Sequence, residues 1–80
     1  MKITYARYLR RGYFDGELGN FYAWPIDGYY DVHWTPIGTA PDGSDVISEG
    51  HPTLADAQRH ARETHEGDRR YIMSQLIGRR

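Results

Sequence analysis

Four histidines, His33, His51, His60 and His65, are the first residues of this 80-residue chain whose type could do chemistry, because imidazole binds zinc, nickel or copper. Their spacing is poor for that purpose. His60 and His65 are five apart, off the i, i+4 register that sets two ligands on one helix face, and no cysteine is present to complete a thiolate site. His51 precedes Pro52 in a loop and His33 falls on a strand, so solvated or capping histidines are the expectation, with no metal and no cofactor. Asp31 and His33 have the types of an acid–base pair. Side chains at i and i+2 of a strand project in parallel, however, and Ser44 and Ser48 stand in turn and strand-edge settings rather than as nucleophiles. Gly12, Gly16, Gly19 and Gly28 are followed by no Gly-Lys-Ser/Thr and open no strand-to-helix phosphate loop. The chain is therefore read as non-enzymatic.

Charge carries the stronger signal. Between Gly12 and Gln58 there is no lysine or arginine, while Asp15, Glu17, Asp27, Asp31, Asp42, Asp45, Glu49 and Asp56 all lie there. The net charge of −1 thus hides a basic start, an acidic middle and a basic end. A one-signed surface steers partners of the opposite sign. Asp15, Asp27 and Asp42 each precede a glycine and have a turn role, and Asp56 suits a helix start. Glu17, Asp31, Asp45 and Glu49 have no such local reason, which leaves a solubilising face or one that docks on a basic protein surface.

The flanks read the other way. Arg7, Arg10 and Arg11 stand beside Tyr8, Tyr13 and Phe14, and Arg69 and Arg70 beside Tyr71, pairing charge with stacking surface as single-stranded nucleic-acid binders do. If the chain ends converge, these form one positive patch. The sequence pI of about 6.4 is nonetheless far from the strongly basic value of a dedicated nucleic-acid domain. Aromatics are also in excess: ten of the eleven lie between Tyr5 and Trp34, more than a small core needs. Tyrosine and tryptophan favour strands and interfaces alike.

The elements that position these residues follow from periodicity and turn chemistry. Met1 to Tyr8 alternates as a strand, and Leu9 to Asn20, with three glycines, reads as a loop or loose hairpin connection. Phe21 to Trp24 is β-like, Pro25-Ile26-Asp27-Gly28 supplies a tight turn, and Tyr29 to Thr35 returns. In that return strand Tyr30, Val32 and Trp34 face the core, leaving Tyr29, Asp31 and His33 toward solvent or a partner. Pro41-Asp42-Gly43 marks a turn before a short strand, Asp45 to Ser48. Thr53 as N-cap with Asp56 three residues on starts a helix over about 53–66, ending at Gly67, with Leu54, Ala57, Ala61 and Thr64 or His65 as its inward stripe. Arg70 to Ile77 is ambiguous between periods of two and four and is assigned to a final strand.

The expectation is one α+β domain over residues 1–80, a mainly antiparallel sheet of three to five strands with one helix on a face. An 80-residue domain buries only about two-thirds of its unfolded surface, leaving little room for an enzyme pocket. Without cysteine, an apolar run of membrane-helix length or a signal-peptide core, the expected location is the cytoplasm, with no membrane partner.

Two resemblances bear on function. Tyr29-Tyr30-Asp31-Val32-His33-Trp34, then Pro41-Asp42-Gly43, then Pro52-Thr53-Leu54-Ala55-Asp56-Ala57 resembles the strand–turn–strand–helix unit of phage integrase arm-binding domains. Those domains lay a sheet into a DNA groove, but here Asp31, Asp45 and Glu49 stand where arginine or lysine would be required. In size, α+β reading, arginine-over-lysine usage and one-signed face, the whole chain is similar to small phage-encoded anti-CRISPR proteins. That group shares no motif, so no site residue is carried over by match. The resemblance implies a protein that binds the basic surface of a type I CRISPR surveillance complex (Cascade) in a bacterial host cell and occludes its DNA. Asp27, Asp31, Asp45 and Glu49 would supply charge, with Tyr29, Glu17 and Tyr13 adding contact. The alternative is a nucleic-acid-binding or recombination accessory domain using Arg7, Arg10, Arg11, Arg69 and Arg70.

Overall fold

The computed structural model describes residues 6–77. Four strands, β1 (Arg7–Phe14), β2 (Glu17–Ile26), β3 (Tyr29–Pro36) and β4 (Val46–His51), form one antiparallel sheet in chain order, and one helix, α1 (Leu54–Ile77), packs on it. The α+β architecture expected from the sequence is the one observed.

Two Asp-Gly pairs make the first two connections. Asp15 and Asp27 have φ of 54° and 52°, and Gly16 and Gly28 follow at 83° and 81°. Two successive residues in the left-handed region give the turn whose twist matches paired strands, and Asp-Gly is among the few dipeptides that adopt it cheaply. The partners Phe14↔Glu17 and Ile26↔Tyr29 close directly on these turns.

The segment Leu9 to Asn20 is not a loop: most of it lies in β1 and β2. Its glycines serve packing rather than flexibility. Gly12 and Gly19 are cross-strand partners, and both are buried. A Cβ on Gly12 would stand 2.7 Å from the Phe21 ring, and one on Gly19 would overlap the Trp34 indole and the Thr35 carbonyl. The bare backbone makes a trough through which Trp34 reaches from β3 to β1, donating its indole N–H to the Gly12 carbonyl at 3.2 Å. The expected strand Met1 to Tyr8 lies largely outside the described residues. β1 begins at Arg7, and its register shifts between Tyr8 and Arg10.

Strand alternation sends Phe21, Ala23, Val32 and Trp34 toward α1, where they enclose Ala57 and Ala61. Leu9, Phe14, Tyr30, Ile47 and Leu54 pack around that centre. The expected core set of β3, with Tyr30 at its margin, and the inward helix stripe are both present. Alanines at the contact let helix and sheet approach closely, but each buries little apolar area.

Thr53 caps α1 as its sequence predicts. Its hydroxyl accepts the Asp56 N–H at 3.1 Å and donates to Asp56 Oδ2 at 3.0 Å, so the shorter acid meets the threonine hydroxyl where the glutamate of a capping box would reach its backbone N–H. The helix does not stop at Gly67, nor does Arg70 to Ile77 form a strand: α1 continues through both to Ile77. A helical glycine costs about 1 kcal/mol relative to alanine, and the good helix formers Glu66, Arg69, Arg70, Met73, Gln75 and Leu76 offset it. Ile72 and Leu76, four apart, report the true period. Beyond Asp68 the helix has little beneath it, and Arg69, Arg70, Tyr71, Met73, Ser74, Gln75 and Leu76 are all exposed.

Candidate docking face

The sheet has a second face, turned away from α1. Alternation places Tyr22, Trp24 and Ile26 of β2 there, with Tyr29, Asp31, His33 and Thr35 of β3. Tyr8 of β1 joins them opposite Tyr22, its ring edge-on at 5.8 Å. Tyr8, Ile26 and Tyr29 are 58%, 45% and 52% exposed, so this end of the face presents aromatic and aliphatic surface to its surroundings.

Carboxylates border that surface. Asp27 occupies the β2–β3 turn, and the Asp31 carboxylate accepts the Gly50 N–H at 3.1 Å, which brings the β4 segment carrying exposed Glu49 alongside. Of the seven residues expected to meet a partner, the structure therefore gathers Asp27, Tyr29, Asp31 and Glu49 at one end of the sheet, while Tyr13 lies against His65. Glu17 lies at the opposite end, beside the β1–β2 turn. Asp45 points inward: its carboxylate stands 2.5 Å from His33 Nδ1.

His33 was expected to face solvent or a partner, and it is 2% exposed. The loop over 37–45 explains the difference by folding back over this part of the sheet. Trp34 N–H donates to the Asp45 carbonyl at 3.2 Å and the Thr35 hydroxyl to the Thr39 carbonyl at 2.9 Å. Asp42 organises the far side by accepting both the N–H and the hydroxyl of Ser44, and these bonds hold its carboxyl below the usual range. The Trp24 ring stacks on the imidazole, with centroids 4.9 Å apart, and Gly43 approaches that indole in turn. Nε2 of His33 is left buried with no partner among the described residues. An Asp–His pair twelve residues apart leaves no periodic trace, so sequence inspection missed it.

The arginines fall in two places. Arg7, Arg10 and Arg11 belong to the edge strand β1, and Arg69 and Arg70 to the outer half of α1. His65 joins the helix to β1. Its Nδ1 accepts the Tyr13 N–H at 3.0 Å, and the Tyr13 ring lies parallel to it at 5.7 Å. Partial burial pushes His65 below its ordinary value, and the Arg10 and Arg69 guanidinium groups push the same way, against Glu66 and Asp68. Arg69 and Arg70 also line a shallow depression with Glu66 and Met73.

At the start of the helix, His60 meets His51 with ring centroids 5.1 Å apart, and Ser48 Oγ lies 2.7 Å from His51 Nε2. Burial and then His51 hold His60 below its ordinary value, against Glu63. Two imidazoles are an incomplete metal site, and among the described residues no three ligating side chains converge.

These features define a two-layer α+β domain whose second sheet face is covered in part by the 37–45 loop and is open, aromatic and bordered by carboxylates toward the β2–β3 turn. The chain matches no family model, no curated protein and no solved structure. No helix among the described residues is long and apolar enough to cross a membrane.

Proposed function

We propose that this chain is a non-enzymatic interaction protein whose open sheet face binds a basic protein surface, and that its partner is a type I CRISPR surveillance complex, from which it excludes target DNA. The observation that carries the docking reading is the gathering of Asp27, Tyr29, Asp31 and Glu49 beside Tyr8, Tyr22, Trp24 and Ile26. Aromatic centres with polar rims characterise protein interfaces, and such centres hold most of the binding energy. The carboxylates would orient the encounter and reject acidic partners. Duplex DNA carries a charge about every 1.7 Å, so three carboxylates imitate only a short stretch of it. Steric occlusion with a few charge pairs is the mechanism this geometry supports. The particular partner rests on the resemblance to anti-CRISPR proteins.

A second reading is favoured by the positive fields of Arg10 and Arg69, both of which reach His65 where it stacks on Tyr13. One experiment separates the two. The protein is passed over purified surveillance complex with labelled target DNA at about 0.15 M salt, where surface charges are screened beyond about 8 Å. Co-elution with loss of DNA from the complex is the expected result, abolished in a folded Tyr29→Ala/Glu49→Lys variant. Unimpaired binding by that variant refutes the face, and absence of co-elution refutes the CRISPR partner. Direct binding of the DNA by the protein, lost with Arg10→Ala/Arg69→Ala, would establish the second reading. Asp31 and Asp45 are unsuitable for charge reversal, because both hold the fold together.

A further inference from the structure

We propose that α1 is held on the sheet by two uncharged imidazoles, those of His60 and His65, and that acidification releases the helix from β1. The argument begins with a backbone group. β1 is an edge strand, and the Tyr13 N–H is satisfied not by another strand but by His65 Nδ1, 52 residues away in sequence. Only an unprotonated Nδ1 can accept that bond. A proton there removes the acceptor and sets N–H against N–H.

The surroundings of His65 are divided. Arg10 from β1 and Arg69 from α1 oppose a positive imidazole, while Glu66 and Asp68 of α1 favour it. Tyr13, its ring parallel to the imidazole, completes the contact. The acids offset part of the repulsion but cannot restore the lost hydrogen bond. Nearer the helix start, His60 faces His51 of β4, with Glu63 as the nearby acid on its own helix. A charge on His60 is disfavoured at this contact, by burial first and then by His51, whose ring centroid is 5.1 Å away.

The fully buried residues of the helix are Ala57 and Ala61, the first a turn before His60 and the second between the two histidines. Their side chains bury little apolar surface, so helix docking depends on the two histidine contacts more than it would with leucines there. Release of His65 would bare the β1 edge at Tyr13.

The test is an NMR titration of the intact protein, following the His65 imidazole and the Tyr13 amide, with amide exchange protection measured at about pH 8 and about pH 5. The two signals are expected to titrate together with a midpoint below the ordinary 6.5. Tyr13 protection should fall about tenfold for each unit by which the midpoint is displaced. His65→Asn, which offers a non-titrating oxygen near the Nδ1 position, should keep Tyr13 protected at both pH values. Unchanged protection in the parent protein, or equal loss in His65→Asn, would overturn the proposal. Should that variant not fold, the parent titration decides alone, and a midpoint at or above 6.5 counts against it.

Discussion

Asp45 Oδ1 stands 2.5 Å from His33 Nδ1, and this contact is the one that ties the 37–45 loop to the buried imidazole stacked on Trp24. Asp45→Ala would leave both ring nitrogens buried without partners. The expected loss is about 1–3 kcal/mol in denaturant unfolding, with a red shift of tryptophan emission as Trp24 loosens. A loss under about 0.5 kcal/mol, the range of an ordinary surface substitution, would mean the loop is held by its other bonds.

Gly19→Ala should be the most damaging small substitution in the sheet. The new methyl would overlap the Trp34 ring and the Thr35 carbonyl, and backbone cannot yield as a flexible side chain does. A loss of about 3 kcal/mol or more is expected. Gly16→Ala provides the contrast: nothing lies within 4 Å of its Cβ, but φ is +83°, so the cost of about 1–2 kcal/mol is purely conformational. Equal effects from the two would contradict the packing role of Gly19.

Gly67→Ala should raise the melting temperature. The position lies inside α1 with open space around it, so alanine adds about 0.5–1 kcal/mol of helix stability. A glycine that ended the helix in a left-handed cap would show the opposite sign.

Thermal stability should fall in two steps as pH decreases. His60 and His65 are held below 6.5 in the folded protein, so the unfolded chain binds more protons, and their contribution, complete above 6.5, is lost as pH falls through the folded values. Asp42 and Asp56 are held below 3.8 by Ser44 and by Thr53 with Arg59, and the same linkage puts their loss below 3.8. Melting curves across this range should show His65→Asn weakening the first step and sparing the second. A first step of full size in that variant would assign it to other groups.

Turns, caps and alternation were legible in the sequence because each is set by near neighbours. Asp27-Gly28 specified its hairpin, Thr53 with Asp56 its helix start, and Tyr30, Val32 and Trp34 their common face. Gly12, Gly19 and Gly67 misled for the same reason: local propensity reads glycine as a loop or a stop, whereas here Trp34 and Phe21 require two of them and flanking helix formers tolerate the third. Of the candidate docking residues, Asp27, Tyr29 and Asp31 were neighbours from the start, but the addition of Glu49 needed the β3–β4 pairing. By itself the sequence determined the α+β class, the β2–β3 hairpin turn, the helix start and the separation of charge along the chain. Tertiary structure alone decided that Asp45 turns inward to His33 and that the Tyr13 N–H meets His65. Those contacts join residues 12 to 52 positions apart, and their geometry is set by strand register and by how close the alanines let the helix approach.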